Sequence, residues 1–156
     1  MKENTIELDK QYKDRFITYK YSSAFKDTTK EETYPYSLEK RIEYEYYDND
    51  KLLFIIRVEE NDAGISFLPL NEDKEKLEKD KENKNIKSET FNSNGKNMVM
   101  FSYNRKDDFG NDKLYHIYYV GYSSAGINEF MKIYFINATE TESLEKEFIS
   151  SFKVNK

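Results

Sequence analysis

The chain has 156 residues, with 25 Lys and Arg against 30 Asp and Glu, for a net charge of −5. This length is sufficient for one domain with a substantial core, and the acidic balance argues against a nucleic-acid-binding protein, which presents a basic face. The chain contains no Cys and one His, so disulfides, thiolate metal sites and zinc sites built from His and Cys are excluded.

The sequence shows no membrane-spanning segment, because no apolar run approaches the roughly 20 residues that a spanning helix needs. The first ten residues, MKENTIELDK, lack the apolar region of a signal peptide. We therefore expect either a cytoplasmic protein or an exported protein whose signal, together with a lipid anchor of the precursor, has been removed.

The first half of the chain predicts strands joined by polar turns. Residues 1–13 are polar and are expected to be a flexible N-terminal segment, followed by a strand at 15–23. In residues 41–47, RIEYEYY, apolar and charged side chains alternate, which predicts a half-buried strand. Residues 52–60, LLFIIRVEE, are nearly all apolar and predict a central strand. The Asp-Asn-Asp sequence between them predicts a hairpin turn.

The middle of the chain is dominated by a dense charge run at residues 72–84, EDKEKLEKDKENK. This run predicts an exposed helix supported by Glu–Lys pairs, or a mobile excursion, rather than an acidic or basic docking tail. Residues 86–92 and 96–104 predict two strands, and the Asn-Gly pair between them is a strong hairpin signal.

The closing segment, residues 114–152, predicts two aromatic-rich strands, a turn between them and a final helix. Neither face of these strands is cleanly polar, so the sheet is expected to be at least partly covered on both sides. Thr139 and Glu142 have the spacing of a capping box for the helix. Glu145, Lys146 and Glu147 are expected to face water.

The final helix carries an apolar stripe that predicts packing against the sheet, with its members at helical spacing. These members are Leu144, Phe148, Ile149 and Phe152. Strands, a charged helical excursion, further strands and a closing helix together predict an α+β fold. We expect one domain over residues 1–156, with a single, mostly antiparallel sheet flanked by helices as an α/β/α sandwich.

The candidate catalytic and metal-binding residues are few. His116 lies mid-strand among apolar residues, which favours a packed structural role over general acid–base catalysis. Asp107, Asp108 and Asp112 lie around Gly110 without the alternating ligands of a calcium loop, so we interpret them as turn residues. The sequence offers no phosphate-binding glycine loop and singles out no catalytic pair, so no catalytic residue, metal or cofactor is predicted.

Tyrosine is the residue type that suggests binding, because one end of its ring is apolar and the other polar. Ordinary sheet packing is the simpler explanation for most of these rings. The candidate binding surface consists of Tyr44, Tyr46, Tyr47, Tyr115, Tyr118, Tyr119 and Tyr122.

The hairpin RIEYEYYDNDKLLFIIRVEE, the late strand pair and a terminal E-x-x-F-I-x-S-F motif resemble the PsbP-like family. The motif residues here are Glu145, Phe148, Ile149, Ser151 and Phe152. That family includes an extrinsic photosystem protein, a Ran-binding import factor and small bacterial envelope lipoproteins. The resemblance implies a central antiparallel sheet between helical layers that binds or assembles without catalysis. The charged run at 72–84 would replace a helix between the two halves, and its lack of apolar residues departs from the family pattern.

The resemblance leads to a functional expectation of a non-enzymatic binding or accessory domain of a bacterial cell-envelope or secreted lipoprotein. Its expected partner is another envelope protein, not nucleic acid. The alternative is a small-ligand carrier with an aromatic-lined cavity between sheet and helix, and an enzyme using carboxylates and Tyr is the least favoured hypothesis.

Overall fold

The computed structural model describes residues 6–14, 17–29, 39–61, 70–93, 96–124 and 127–154, which form ten strands and two helices. Each helix has ten residues, too short to cross a membrane, since a spanning helix needs roughly 20 apolar residues. The elements are β1 (Lys10–Lys13), β2 (Ile17–Tyr21), β3 (Lys26–Asp27), β4 (Glu39–Asp48), β5 (Lys51–Asn61), α1 (Leu70–Lys79), β6 (Lys84–Ser93), β7 (Lys96–Lys106), β8 (Asp112–Ser124), β9 (Ile127–Ile136), α2 (Glu142–Ser151) and β10 (Lys153–Val154).

Seven of the strands form one antiparallel sheet in the order β3-β4-β5-β9-β8-β7-β6. The predicted hairpin of β4 and β5 is confirmed, and Asn49 and Asp50 make its turn with φ angles of 50° and 65°. Asn and Asp tolerate this left-handed conformation better than most residues. The sheet is otherwise built from sequential hairpins, and the β5–β9 pairing brings the two halves of the chain together.

One face of this sheet, called the first face, carries Ile56 and Phe135 and packs against a second, three-stranded sheet and α2. The small sheet has the order β1-β2-β10 and contributes Ile17 and Tyr19 to the core. The predicted stripe of α2 is confirmed, because its four apolar side chains are at most 4% exposed. Each such burial contributes roughly 1.5–3 kcal/mol, so α2 is an integral part of the core.

The opposite face of the seven-stranded sheet, called the second face, has a smaller apolar cluster around Phe101 and Ile117. The helix α1 begins two residues before the charged run that the sequence predicts to be helical or mobile, and it covers the first eight residues of that run. Its Leu77 is half-buried and packs against this cluster. Lys74 and Glu78 form an i,i+4 pair at 3.9 Å on its outside.

The predicted fold class is wrong, because the chain is mostly β and is not a sheet sandwiched between helical layers. On the first face, the three-stranded sheet occupies much of the layer that the prediction assigned to helices. On the second face, α1 packs against the sheet through Leu77. This single contact does not amount to a helical layer. Part of the predicted N-terminal segment forms β1, and β10 is too short to detect from its sequence pattern.

Candidate functional site

The second face carries an open groove of about 440 Å³ between α1 and the sheet. Strand alternation places Tyr115, Ile117 and Tyr119 of β8 along its floor. Tyr103 of β7 lies directly opposite Tyr115, and the two rings stack with their centroids 5.2 Å apart. We call this the tyrosine groove; its tyrosines are Tyr103, Tyr115, Tyr119 and Tyr134.

The hydroxyls of Tyr103 and Tyr115 in the groove are protonated at neutral pH. Burial raises the pKa of Tyr103 to about 12, and it also raises the pKa of Tyr115 above its usual value. The charged form of each ring would lose hydration that the protein does not replace. The floor therefore offers flat apolar surface together with neutral hydroxyl groups.

Cations lie over the rings of this floor. The Lys132 ammonium is 5.4 Å from the centroid of the Tyr119 ring, and the Arg57 guanidinium is 5.8 Å from that of Tyr134. Arg57 Nε is buried without a hydrogen-bond partner and lies 3.6 Å from Glu43 Oε2. Both geometries are those of cation–π contacts, which hold the cations close to the groove.

An ion-pair network holds the C-terminal end of α1 to the sheet. Arg105 of β7 donates through Nη1 to Asp80 Oδ2 at 2.6 Å and to Asn83 Oδ1 at 3.0 Å. Its Nη2 lies 2.9 Å from Glu82 Oε2. The hydrogen bond from Arg105 lowers the pKa of the Asp80 carboxyl below its usual value. This network fixes one wall of the groove, and the charge of Arg105 is paired with the carboxylates of Asp80 and Glu82.

The structure separates the seven tyrosines of the predicted surface. Tyr115 and Tyr119 line the groove, whereas Tyr44, Tyr46 and Tyr118 lie on the first face. Tyr44 and Tyr118 are 2% and 7% exposed, so they belong to the core. Alternation along a strand is the cause, since neighbouring residues point to opposite faces.

The other two tyrosines lie away from the groove. A register shift between Tyr46 and Tyr47 near the β4–β5 turn leaves Tyr47 41% exposed. Tyr122 belongs to the end of β8, and its side chain lies outside the described part of the structure. The sequence interpretation missed Tyr103, Tyr134 and the cations, because strand order decides which residues stand beside Tyr115 and Tyr119.

A second depression, about 620 Å³ in volume, lies on the first face beside α2. We call it the α2 cleft. Its walls come from β8, from the end of β6, from the turn before α2 and from one edge of that helix. The side chains that matter for its chemistry are His116, Tyr118, Glu142, Glu145 and Lys146.

The predicted water-facing position of Glu145 is wrong, because its residue is only 8% exposed. The position lies three and four residues before Phe148 and Ile149, on the side of α2 that meets the sheet. Its carboxylate contacts His116 Nδ1 at 2.8 and 3.0 Å, and it accepts a hydrogen bond from the Tyr118 hydroxyl. The Thr141 hydroxyl lies 3.1 Å from Glu145 Oε1.

The network keeps Tyr118 protonated. Burial raises the pKa of Tyr118 far above its usual value, and the hydrogen bond to Glu145 raises it further. The predicted capping box is also wrong: Thr141 precedes the first residue of α2, and Thr139 is exposed in the preceding turn. Thr141 makes no side-chain capping bond, because its hydroxyl lies between Glu145 and the Ala138 carbonyl.

The acidic loop between β7 and β8 is a turn, as its sequence predicts. Asp107 Oδ1 accepts hydrogen bonds from the backbone amides of Phe109 and Asn111, each at 2.9 Å, and Gly110 has a φ of 81°. Across the described ranges, no three His, Asp or Glu residues are grouped so that they could hold a metal ion.

No protein-family model and no curated protein matches the sequence.

Proposed function

We propose that the chain is a non-enzymatic binding module that docks an acidic segment of a partner protein in the tyrosine groove. The observation that carries this proposal is a local reversal of charge. The chain as a whole has a net charge of −5. The ionisable lining of the groove, apart from its tyrosines, comprises the cations Arg57, Lys76, Arg105 and Lys132 and the single carboxylate Asp80.

Neighbouring carboxylates offset part of this excess, because Arg57 lies 3.6 Å from Glu43 and Arg105 also pairs with Glu82 at 2.9 Å. Asp80 is tied to Arg105, and Glu59 beside Lys132 in the sheet is tied to Arg41 at 3.1 Å. Lys76 and Lys132 add positive charge to the groove, and the Lys132 ammonium lies over the Tyr119 ring. Complementary charge of this kind raises association rates and selects partners more than it adds raw affinity.

The aromatic floor gives the docked segment a place for apolar side chains between its carboxylates. Tyrosine and arginine are the residue types that dominate binding energy at protein interfaces. The groove is open along the sheet and not enclosed, which suits an extended chain better than a compact molecule. The resemblance of the hairpin and terminal motif to PsbP-like envelope lipoproteins supports placing the partner, and this chain, in the cell envelope or outside the cell.

The proposal predicts that Lys132→Glu weakens binding of an acidic probe about tenfold, or ~1.4 kcal/mol. The probe is a fluorescein-labelled twelve-residue peptide of Glu and Phe, and binding is followed by fluorescence anisotropy. The affinity of the unchanged protein should fall between low and high salt, because exposed charges are screened.

The matched control is Lys51→Glu, at the exposed β4–β5 hairpin turn, which changes the net charge by the same amount. It should alter the affinity by less than twofold. Equal weakening by both variants, or equal binding of a Lys and Phe peptide of the same length, would contradict docking in the groove.

A further inference from the structure

The α2 cleft lies on the opposite face of the sheet from the tyrosine groove and has the features of a small-molecule site. Its volume of about 620 Å³ falls within the range of ligand pockets. Leu114, Ala138 and Ile149 supply an apolar surface. Such pockets combine an apolar lining with a few fixed polar groups that orient the ligand.

His116 is the polar group whose orientation is fixed most firmly. Its Nδ1 is held by both oxygens of Glu145, whose carboxylate is buried and also bonded by Tyr118. A carboxylate on Nδ1 requires the proton of a neutral imidazole to lie on that atom. In that neutral form Nε2 carries a lone pair, and no described residue forms a hydrogen bond with it.

The charges around the cleft disfavour an anionic ligand, and the apolar lining disfavours an ammonium, which would lose its hydration for a single neutral acceptor. Glu145 lies below the surface with its oxygens engaged by His116, Tyr118 and Thr141. Glu142 and Lys146, both exposed, bring opposite charges to the rim at i,i+4 spacing and largely offset each other. An organic anion would meet the lone pair of Nε2 and the buried carboxylate behind it.

We infer that the α2 cleft binds a small molecule with an apolar body and a neutral hydroxyl group, which donates its hydrogen bond to His116 Nε2. Glu145 is a positioning residue in this site, because it acts through the imidazole. The site is separate from partner docking in the tyrosine groove, so either can exist without the other.

The test uses four probes that share one apolar ring: benzyl alcohol, benzoate, benzylamine and toluene. His116 is the only histidine of the chain, so its imidazole NMR signals are unambiguous. At a pH where the ¹⁵N shifts show a neutral ring, we expect the proton on Nδ1. Benzyl alcohol should shift the His116 signals saturably with a dissociation constant of about 1 mM, as expected for so small a ligand. The other three probes should bind at least fivefold more weakly.

Two variants separate positioning from folding. Glu145→Gln keeps the shape of the side chain but presents an amide that can donate to Nδ1, so the ¹⁵N shifts should move toward the Nε2-protonated form. Benzyl alcohol binding should weaken at least fivefold in that variant. Lys51→Glu, at the exposed β4–β5 hairpin turn, should leave it unchanged.

The inference is overturned if the unchanged protein holds its proton on Nε2, or if benzoate or benzylamine binds as tightly as benzyl alcohol. It is also overturned if Glu145→Gln moves the tautomer without weakening binding. None of these outcomes bears on the acidic peptide, so failure here and failure of the proposed partner docking are distinguishable.

Discussion

Replacement of Phe148 by alanine is expected to destabilise the protein by about 3–5 kcal/mol, the usual range for a buried Phe→Ala change. Phe148 is fully buried where α2 meets both sheets. Its ring centroid lies 5.3 Å from that of Tyr19 in the small sheet and 5.6 Å from that of Phe135 in the large one. The variant loses this burial and leaves a cavity shared by three elements. Urea denaturation followed by circular dichroism measures the change.

Phe109→Ala is the matched control, since it removes the same side chain from a residue that is 89% exposed in the β7–β8 loop. It should change the free energy of unfolding by less than about 0.5 kcal/mol. If the two variants unfold at similar urea concentrations, α2 does not contribute to the core as the structure indicates.

The sequence predicts the parts of this fold that depend on local pattern. Alternation in β4 and the continuous apolar run of β5 identify the central hairpin, and its Asn and Asp residues identify the turn. The helical spacing of Leu144 and Phe148 identifies the buried side of α2. These signals are strong because each lies within one element or between neighbours in the chain.

The layers could not be predicted, because they depend on weak or distant signals. The strand β10 has two residues, and β1 reads KQYK, with no apolar alternation. Both become strands by pairing with β2, which follows β1 directly but is far from β10 in the sequence. In the charged run at 72–84 the single apolar residue, Leu77, gives little indication of which side of the helix is covered.

The candidate sites also depend on contacts between residues that are distant in the sequence. Arg57 lies opposite Tyr134 because β5 pairs with β9. The sequence pattern of neither strand predicts this pairing. Glu145 meets His116 because α2 docks on β8, and an isolated helix pattern assigns a charged residue to water. Alternation along β8 predicts that Tyr115 and Tyr119 share one face. Their neighbours in the groove come from other strands, so they could be identified only from the folded structure.

Alkaline unfolding is the second large effect that we expect, because several tyrosines are buried in their neutral form. The Tyr19 and Tyr44 hydroxyls are 2.6 Å apart in the core, and burial raises the pKa of both far above the usual value. Burial also raises the pKa of Tyr118 and Tyr103. All four residues are at most 7% exposed.

The direction in which stability changes with pH follows from proton binding. Below pH ~10 these tyrosines are protonated in both the folded and the unfolded state, so their stabilising effect is fully present. Above that pH the unfolded chain releases protons that the folded chain retains, and stability falls. Until its folded-state pKa is reached, each tyrosine lowers the free energy of unfolding by up to about 1.4 kcal/mol per pH unit, so the four together lower it by up to about 5.5 kcal/mol per unit. A domain of ordinary stability should unfold within roughly two to three units.

Absorbance at 295 nm, which reports tyrosinate, should therefore rise in two stages, with the second coinciding with the loss of near-ultraviolet circular dichroism. The double variant Tyr19→Phe and Tyr44→Phe removes both ionisable hydroxyls of the core pair and leaves neither ring with an unpartnered group. Its stability at neutral pH should change little, whereas its loss of stability per pH unit above pH ~10 should be about half as steep. A single stage in which all tyrosines ionise while the circular dichroism persists would mean that the core rings are accessible to hydroxide. That result would contradict the packing of the small sheet against the first face.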